Sequence, residues 1–161
     1  MIKLSICICT YKRSQLLKHL CICIDKQVFN KATTEIIVID NDPAYSAQEV
    51  LQSLQSLLST PFYFAHEPVA NIASARNKAI ALARGEWLLC IDDDEIPDDN
   101  WISLMLNTQQ NYKAEAVFAP VIPRYLPSTP QWIIDGHFFD RPRYATGTEI
   151  AVNDARTGNL L

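Results

Sequence analysis

Short apolar runs alternate with helix-period segments through the first two thirds of the chain, and no other feature limits the possible folds as strongly. Leu4 to Cys9 reads as a strand, after which Leu16, Leu17, Leu20, Cys21 and Ile24 recur at helical spacing. Glu35 to Ile39 is a β-branched strand ending in the turn cluster Asp40-Asn41-Asp42-Pro43. Ser46, with Glu49 three residues later, has the form of a capping box, and it opens a helix whose stripe is Val50, Leu51, Leu54, Leu57 and Leu58. Beyond Pro61, Phe62 to Ala65 reads as a third strand. Ile72 to Ala83 is an alanine-rich helix that Gly85 is expected to terminate. Trp87 to Ile91 is the fourth strand, a helix is expected from about Asp99 to Asn111, and Glu115 to Val121 reads as a fifth strand.

This rhythm implies right-handed crossovers and therefore an α/β, Rossmann-like domain: a mainly parallel sheet with helices on both faces. A chain of 161 residues suffices for one such domain and its core. The pattern occupies residues 1–121. In residues 122–161, Pro123, Pro127, Pro130 and Pro142 interrupt regular structure among scattered aromatics, which suggests a substrate-shaping segment. The last residues, Thr157-Gly158-Asn159-Leu160-Leu161, are a turn leading into an apolar start with no polar tail, so the expectation is a domain truncated at its C-terminus.

Composition narrows the function. A net charge of −4 argues against sequence-independent nucleic-acid binding, which needs a basic surface. No run approaches the length of a membrane span, and Tyr11-Lys12-Arg13 arrives too early for the apolar core of a secretion signal. A cytoplasmic protein is expected, with only peripheral contact at the inner face of the membrane open to it. The five cysteines, Cys7, Cys9, Cys21, Cys23 and Cys90, form two Cys-x-Cys pairs. Neither pair has the common zinc spacing, and Cys21 and Cys23 face apart on a helix. They read as buried free thiols in a reducing compartment.

The chemistry should gather where the strands end, because ligands of open α/β sheets sit outside the carboxyl ends of the strands. Thr10-Tyr11-Lys12-Arg13, Asp40-Asn41-Asp42, His66-Glu67 and Asp92-Asp93-Asp94-Glu95 all fall there. Carboxylates this close raise one another's pKa unless a cation or strong donors compensate. The cluster is thus a candidate seat for a divalent metal carrying a phosphorylated ligand. Tyr11 could cover a nucleobase, Asp40 could accept from a ring N–H, and Arg13 or Arg76 could neutralise phosphate as planar forks. The bland readings compete: Asp40 and Asn41 suit any turn, Arg76 suits a solvated helix face, and the acidic cluster suits a solvated turn.

Four segments in register resemble family 2 glycosyltransferases. They are Ile8-Cys9-Thr10-Tyr11-Lys12-Arg13, Glu35 to Asp42, Ala75-Arg76-Asn77-Lys78, and Ile91-Asp92-Asp93-Asp94, and Thr157-Gly158-Asn159 is similar to a later family segment. The resemblance implies a GT-A fold and inverting transfer from a nucleoside-diphosphate sugar, in cell-surface polysaccharide or glycan synthesis. It implies that Thr10, Tyr11, Arg13 and Asp40 hold the nucleoside, with Arg76 near the base or phosphates and Asp93 near the ribose. Asp94, with Asp92 completing the Asp-x-Asp, would bind Mn2+ or Mg2+. On this view residues 1–121 are the nucleotide-sugar-binding half and residues 122–161 begin the acceptor side. The donor would be of UDP or dTDP type, and the acceptor a glycan, a lipid-linked sugar or a protein.

Inverting transfer also needs a general base. In the family that carboxylate usually lies beyond the Thr-Gly-Asn segment, so it is expected after Leu161. Asp135, Asp140, Glu149 and Asp154 sit in no matching motif. A non-catalytic nucleotide-sugar-binding module is therefore the alternative. A phosphohydrolase with Asp92 as nucleophile fits less well, because its Asp-x-Asp normally follows the first strand. A dinucleotide-binding dehydrogenase fits least, since no Gly-x-Gly-x-x-Gly turn follows the first strand.

Overall fold

The computed structural model describes residues 1–155 and 157–161. Among these, five strands form one sheet in the order β3-β2-β1-β4-β5. The strands are β1 (Leu4–Thr10), β2 (Thr34–Asp40), β3 (Phe62–His66), β4 (Trp87–Ile91) and β5 (Asn159–Leu160). The first four are parallel, with Ile6 paired to Ile36 on one side and to Leu89 on the other. The expected α/β architecture is borne out.

Period-2 alternation splits the central strands between two cores. Ile6, Ile8, Ile36 and Val38 face α1 (Ser14–Lys26), α2 (Gln48–Leu57) and α4 (Trp101–Tyr112), where Leu17, Leu20, Leu51, Leu54, Trp101 and Ile102 complete the larger cluster. Cys7, Ile37 and Ile39 face α3 (Ile72–Leu82), which meets them through Ala75 and Ala79. Those two residues lie one turn apart on a single helix face, and their small side chains let the helix lie close to the sheet. The chain moves outward from β1 to β2 and β3, then returns through α3 to β4 on the far side of β1. The strand order therefore reverses between β1 and β4, the place where such sheets open a crevice.

Four expectations are corrected. Glu115 to Val121 is not a strand; it makes one isolated bridge, Phe118 to Leu160. Pro120 has no N–H to offer a ladder, and the fifth strand is instead Asn159–Leu160, antiparallel to β4. The Ser46 capping box does not form, because α2 begins at Gln48 and the Ala47 N–H donates to Asp40 Oδ2 at 2.7 Å. Gly85 is not a left-handed helix cap: α3 ends in an extended Ala83, and Gly85 lies against the Leu4–Ser5 backbone, where a Cβ would come within 2.5 Å of Ser5 N. Finally, α4 starts at Trp101 rather than Asp99, its Ile102 N–H donating to the buried Gln27 Oε1 at 3.1 Å. Elsewhere, Leu16 and Leu57 lie on the solvent side of their helices. All five thiols are free, Cys7 and Cys21 buried and the other three partly exposed. Among the described residues no helix is long and apolar enough to cross a membrane.

Candidate functional site

A cavity of roughly 550 Å3 opens outside the carboxyl ends of β1 and β4. Its wall is built from four stretches: the end of β1 with the turn after it, Asn41 at the end of β2, the start of α3, and the acidic run after β4. Seven residues expected at the site line it: Thr10, Tyr11, Arg13, Arg76, Asp92, Asp93 and Asp94.

Sheet register explains the juxtaposition. β1 and β4 run side by side, so Thr10 and Asp93 meet above the sheet although they lie far apart in the chain. Thr10 Oγ1 donates to Asp93 Oδ2 at 2.7 Å, and Arg13 Nη1 donates to Asp93 Oδ1 at 3.1 Å. The same Arg13 nitrogen reaches Asp94 Oδ2 at 2.7 Å, while Arg76 Nη2 donates to Asp92 Oδ1 at 3.0 Å. Lys12 takes a left-handed φ of 57° between Tyr11 and Arg13, a conformation non-glycine residues adopt at some cost.

The electrostatics divide the carboxylates. Asp93 is buried, and desolvation pushes its pKa up while Thr10 and Arg13 pull it back. Glu95 is pushed up to about 8, by burial first and then by Asp92 and Asp94. Arg13, hydrogen-bonded to Asp93, is held above the ordinary guanidinium value. Asp92 and Asp94 keep about half of their side-chain surface exposed, at 44% and 47%, so they are the two oxygen donors open to the cavity.

These two carboxylates fit a hard divalent cation, which prefers oxygen ligands. Among the described residues no three His, Cys, Asp or Glu side chains converge to hold a metal alone. That donor set suits Mg2+-like ions, which take one or two carboxylates and fill their shell with water and substrate phosphates.

Asp40 stands one layer behind the wall. Its side chain is fully buried, with Oδ1 accepting from Asp42 N at 2.9 Å and Oδ2 from Ala47 N. It lies on the strand face shared with Ile36 and Val38, and its bonds to Asp42 N and Ala47 N hold it at the start of α2 rather than on the cavity wall. Asn41, one position on, is the residue that lines the cavity. Both donor hydrogens of Asn41 are spent: Nδ2 bonds Glu67 O at 3.0 Å and Val69 O at 2.6 Å, tying the β3–α3 loop to β2. Asn41 falls in the strand-end cluster Asp40-Asn41-Asp42 where the chemistry is expected, although no ligand role of its own is expected for it. Cys9, Ala70 and Ile72 also line the wall; an alanine and an isoleucine advertise no chemistry in a sequence. Burial first of all raises the Cys9 thiol to about 12, keeping it protonated.

His66 does not line the cavity. It stacks on Tyr45, with centroids 4.5 Å apart, and its Nε2 contacts Asp42 O at 2.8 Å, bracing the turn after β2. The Thr157-Gly158-Asn159 segment docks on the acidic run: Asp92 N donates to Gly158 O at 3.1 Å, and Trp101 Nε1 donates to Asn159 Oδ1 at 2.8 Å. Asp135 accepts from Gln131, and Asp140 pairs with His137; neither is on the cavity wall.

This fold and crevice define a GT-A glycosyltransferase architecture, and solved structures agree. The chain matches the mannosyltransferase PcManGT from Pyrobaculum calidifontis, in complex with GDP-Man and Mn2+, with a TM-score of 0.69 at 17% identity, over 74% of this chain and 36% of that one. It matches S. aureus TarS 1–349 in complex with UDP-GlcNAc with a TM-score of 0.65 at 19% identity, over 79% of this chain and 37% of that one. The chain belongs to glycosyl transferase family 2, whose sequence profile matches residues 5–157. It is 33% identical over 141 residues to the succinoglycan biosynthesis protein ExoM of Rhizobium meliloti (strain 1021), a match covering 87% of this chain. The chain spans about half of that relative's length, 46%.

Proposed function

We propose that this domain binds the nucleoside diphosphate of an activated sugar in the β1–β4 crevice and supplies the donor-binding part of an inverting polysaccharide glycosyltransferase. The observation that carries the reading is the pairing of Arg13 and Arg76 with Asp92, Asp93 and Asp94 on one cavity wall. Anion-binding forks and cation-binding carboxylates share that wall, as a metal diphosphate requires.

In this reading residues 1–121 form the donor half and residues 122–161 begin the acceptor side. Asp92 and Asp94 hold Mn2+ or Mg2+, which when bound supplies Lewis-acid charge to the departing diphosphate. Arg13 exchanges Asp94, and Arg76 exchanges Asp92, for phosphate as the ligand enters, so the charge they neutralise stays inside the cavity. Thr10 and Arg13 keep Asp93 fixed beside the ribose. Tyr11, 45% exposed, offers its ring to the base. The acceptor for a base N–H comes from Asn41 Oδ1 rather than Asp40, because the amide's donors are already committed to Glu67 and Val69. A ring that presents an N–H there, as uracil and thymine do, is favoured over adenine. ExoM is named for succinoglycan biosynthesis, which supports a polysaccharide product.

Calorimetry of UDP with Mn2+ and with EDTA tests this. Asp94→Ala should weaken the Mn2+-dependent binding at least about tenfold, the scale of one lost charge-assisted ligand, and leave the EDTA titration nearly unchanged. Equal loss in both buffers removes Asp94 from the metal site. A preference for ADP over UDP overturns the base assignment. Sugar transfer by the full-length protein separates the enzyme from a binding module without catalysis.

A further inference from the structure

Helix α3 rests on the sheet through one narrow stripe, and its two flanks reach opposite ends of the cavity. Ala75 and Ala79 form the stripe, against Ile37 and Ile39. At about 100° of turn per residue, Arg76 and Lys78 stand roughly 80° to either side of it. Arg76 reaches Asp92, beyond β4. Lys78 reaches the other way: its Nζ donates to His66 O, the last carbonyl of β3, at 2.6 Å and lies 3.4 Å from Glu67 Oε2. With the strands in the order β3-β2-β1-β4, Arg76 serves the acidic end of the cavity and Lys78 the end beside β2 and β3. The diphosphate chemistry uses Arg76 and leaves Lys78 without a part.

What Lys78 holds is the loop of residues 67–71 between β3 and α3, which brings Ala70 to the cavity wall. Neighbouring groups secure its backbone almost atom by atom. Glu67 N donates to Asp40 O at 2.8 Å, and Glu67 O and Val69 O take the two hydrogens of Asn41 Nδ2. Pro68 fixes φ between them. The Glu67 carboxylate joins loop to helix, with Oε1 accepting from Val69 N at 3.2 Å and Oε2 facing Lys78. The Lys78 and Glu67 side chains are only 35% and 17% exposed, so the pair is more sheltered than the surface ion pairs that contribute little. A cationic donor on a carbonyl is also among the stronger hydrogen bonds. The same loop carbonyls commit the Asn41 amide, so a loop that stays in place leaves Asn41 Oδ1 as the polar atom free for a ligand.

We infer that Lys78 is a positioning residue for the nucleoside end of the donor site: by clamping the β3–α3 loop it fixes Ala70 and Asn41 around the base, without touching the ligand itself. The inference rests on the donor-site reading, and its test can fail separately from it. Calorimetry on the full-length protein compares UDP with inorganic pyrophosphate, each with Mn2+. Lys78→Met keeps a stem of similar length and removes the charge. It should raise the Kd for UDP about tenfold, the scale of re-ordering a loosened loop, and change that for pyrophosphate by less than about twofold. Lys78→Arg, which keeps the charge and donors, should hold the rise for UDP to about threefold. Glu67→Gln keeps an acceptor for Val69 N and loses the pairing charge. It should weaken UDP about threefold with pyrophosphate again unaffected, and it decides the matter if Lys78→Met does not fold. An unchanged UDP Kd in these charge-removing variants, or equal loss for UDP and pyrophosphate, overturns the positioning role. If the unaltered protein binds neither ligand, the donor site itself is refuted and Lys78 has nothing to position.

Discussion

Thr10 and Asp93, 83 positions apart in the chain, are joined by a 2.7 Å hydrogen bond that ties the end of β1 to the turn after β4. Asp93 is only 5% exposed, so its carboxylate depends on Thr10 and Arg13 for the partners that water would otherwise supply. Replacing the hydroxyl by a methyl of similar shape leaves one oxygen short of a donor. Thr10→Val should therefore cost about 1–3 kcal/mol of unfolding free energy, read by urea denaturation, and should weaken UDP binding as well. Stability unchanged within about 0.5 kcal/mol would mean the bond is no better than its exchange with water.

Gly158 sets the space beside the acidic run. A Cβ there would lie 2.8 Å from Asp92 Oδ2 and 3.1 Å from Glu95 Oε1. Both are ends of side chains that can move, so Gly158→Ala should fold with a loss below about 1 kcal/mol. The displaced Asp92 should instead weaken Mn2+-dependent UDP binding roughly tenfold, equivalent to about 1.4 kcal/mol. An unaltered metal-dependent titration would show that Asp92 is not a ligand.

Gly85→Ala should behave in the opposite way. The added carbon would meet backbone, 2.5 Å from Ser5 N and 2.7 Å from Leu4 C, and neither atom can step aside without moving β1. A loss of about 1–3 kcal/mol is expected from this overpacking, seen as a lower urea midpoint. A fully stable Gly85→Ala protein would show that the Arg84–Glu86 connection can shift away from the sheet at little cost.

Asp25 gives the fold an acid limit. Desolvation alone would raise its pKa, but hydrogen bonds from Thr60 and Ser59 outweigh it and lower the value from 3.8 to about 2. A carboxylate depressed in the folded state stabilises fully above its unfolded pKa, and that contribution is lost as pH falls through the folded value. The window is therefore about pH 4 down to about pH 2, and roughly 2 kcal/mol is at stake. Asp25→Asn should be less stable at neutral pH and should show a flatter stability profile between pH 4 and pH 2. Parallel profiles for the two proteins would exclude the Asp25 clasp as a source of acid sensitivity.

Strand and helix positions could be read from the chain because hydrophobic period is a local property: Ile36 to Ile39 cannot avoid a strand once both faces are buried. The four motif segments were visible for a related reason, since each sits immediately after or beside a strongly patterned element. Boundaries that depend on distant partners were not visible. The start of α2 is set by Asp40 accepting from Ala47, and the start of α4 by Gln27 accepting from Ile102. The fifth strand lies at residues 159–160 because, among the described residues, that is the segment that pairs with the free edge of β4.

Residue order was enough to specify an α/β sheet and to send Thr10, Arg13, Arg76 and the three aspartates to its carboxyl edge. Folding in three dimensions settled which neighbour faces the crevice at the end of β2. Asp40 turns toward α2 to satisfy a helix N–H, and Asn41 is left on the wall. The reason is physical: a side chain's chemistry belongs to its residue, but its access to ligand depends on which backbone groups nearby still lack a partner.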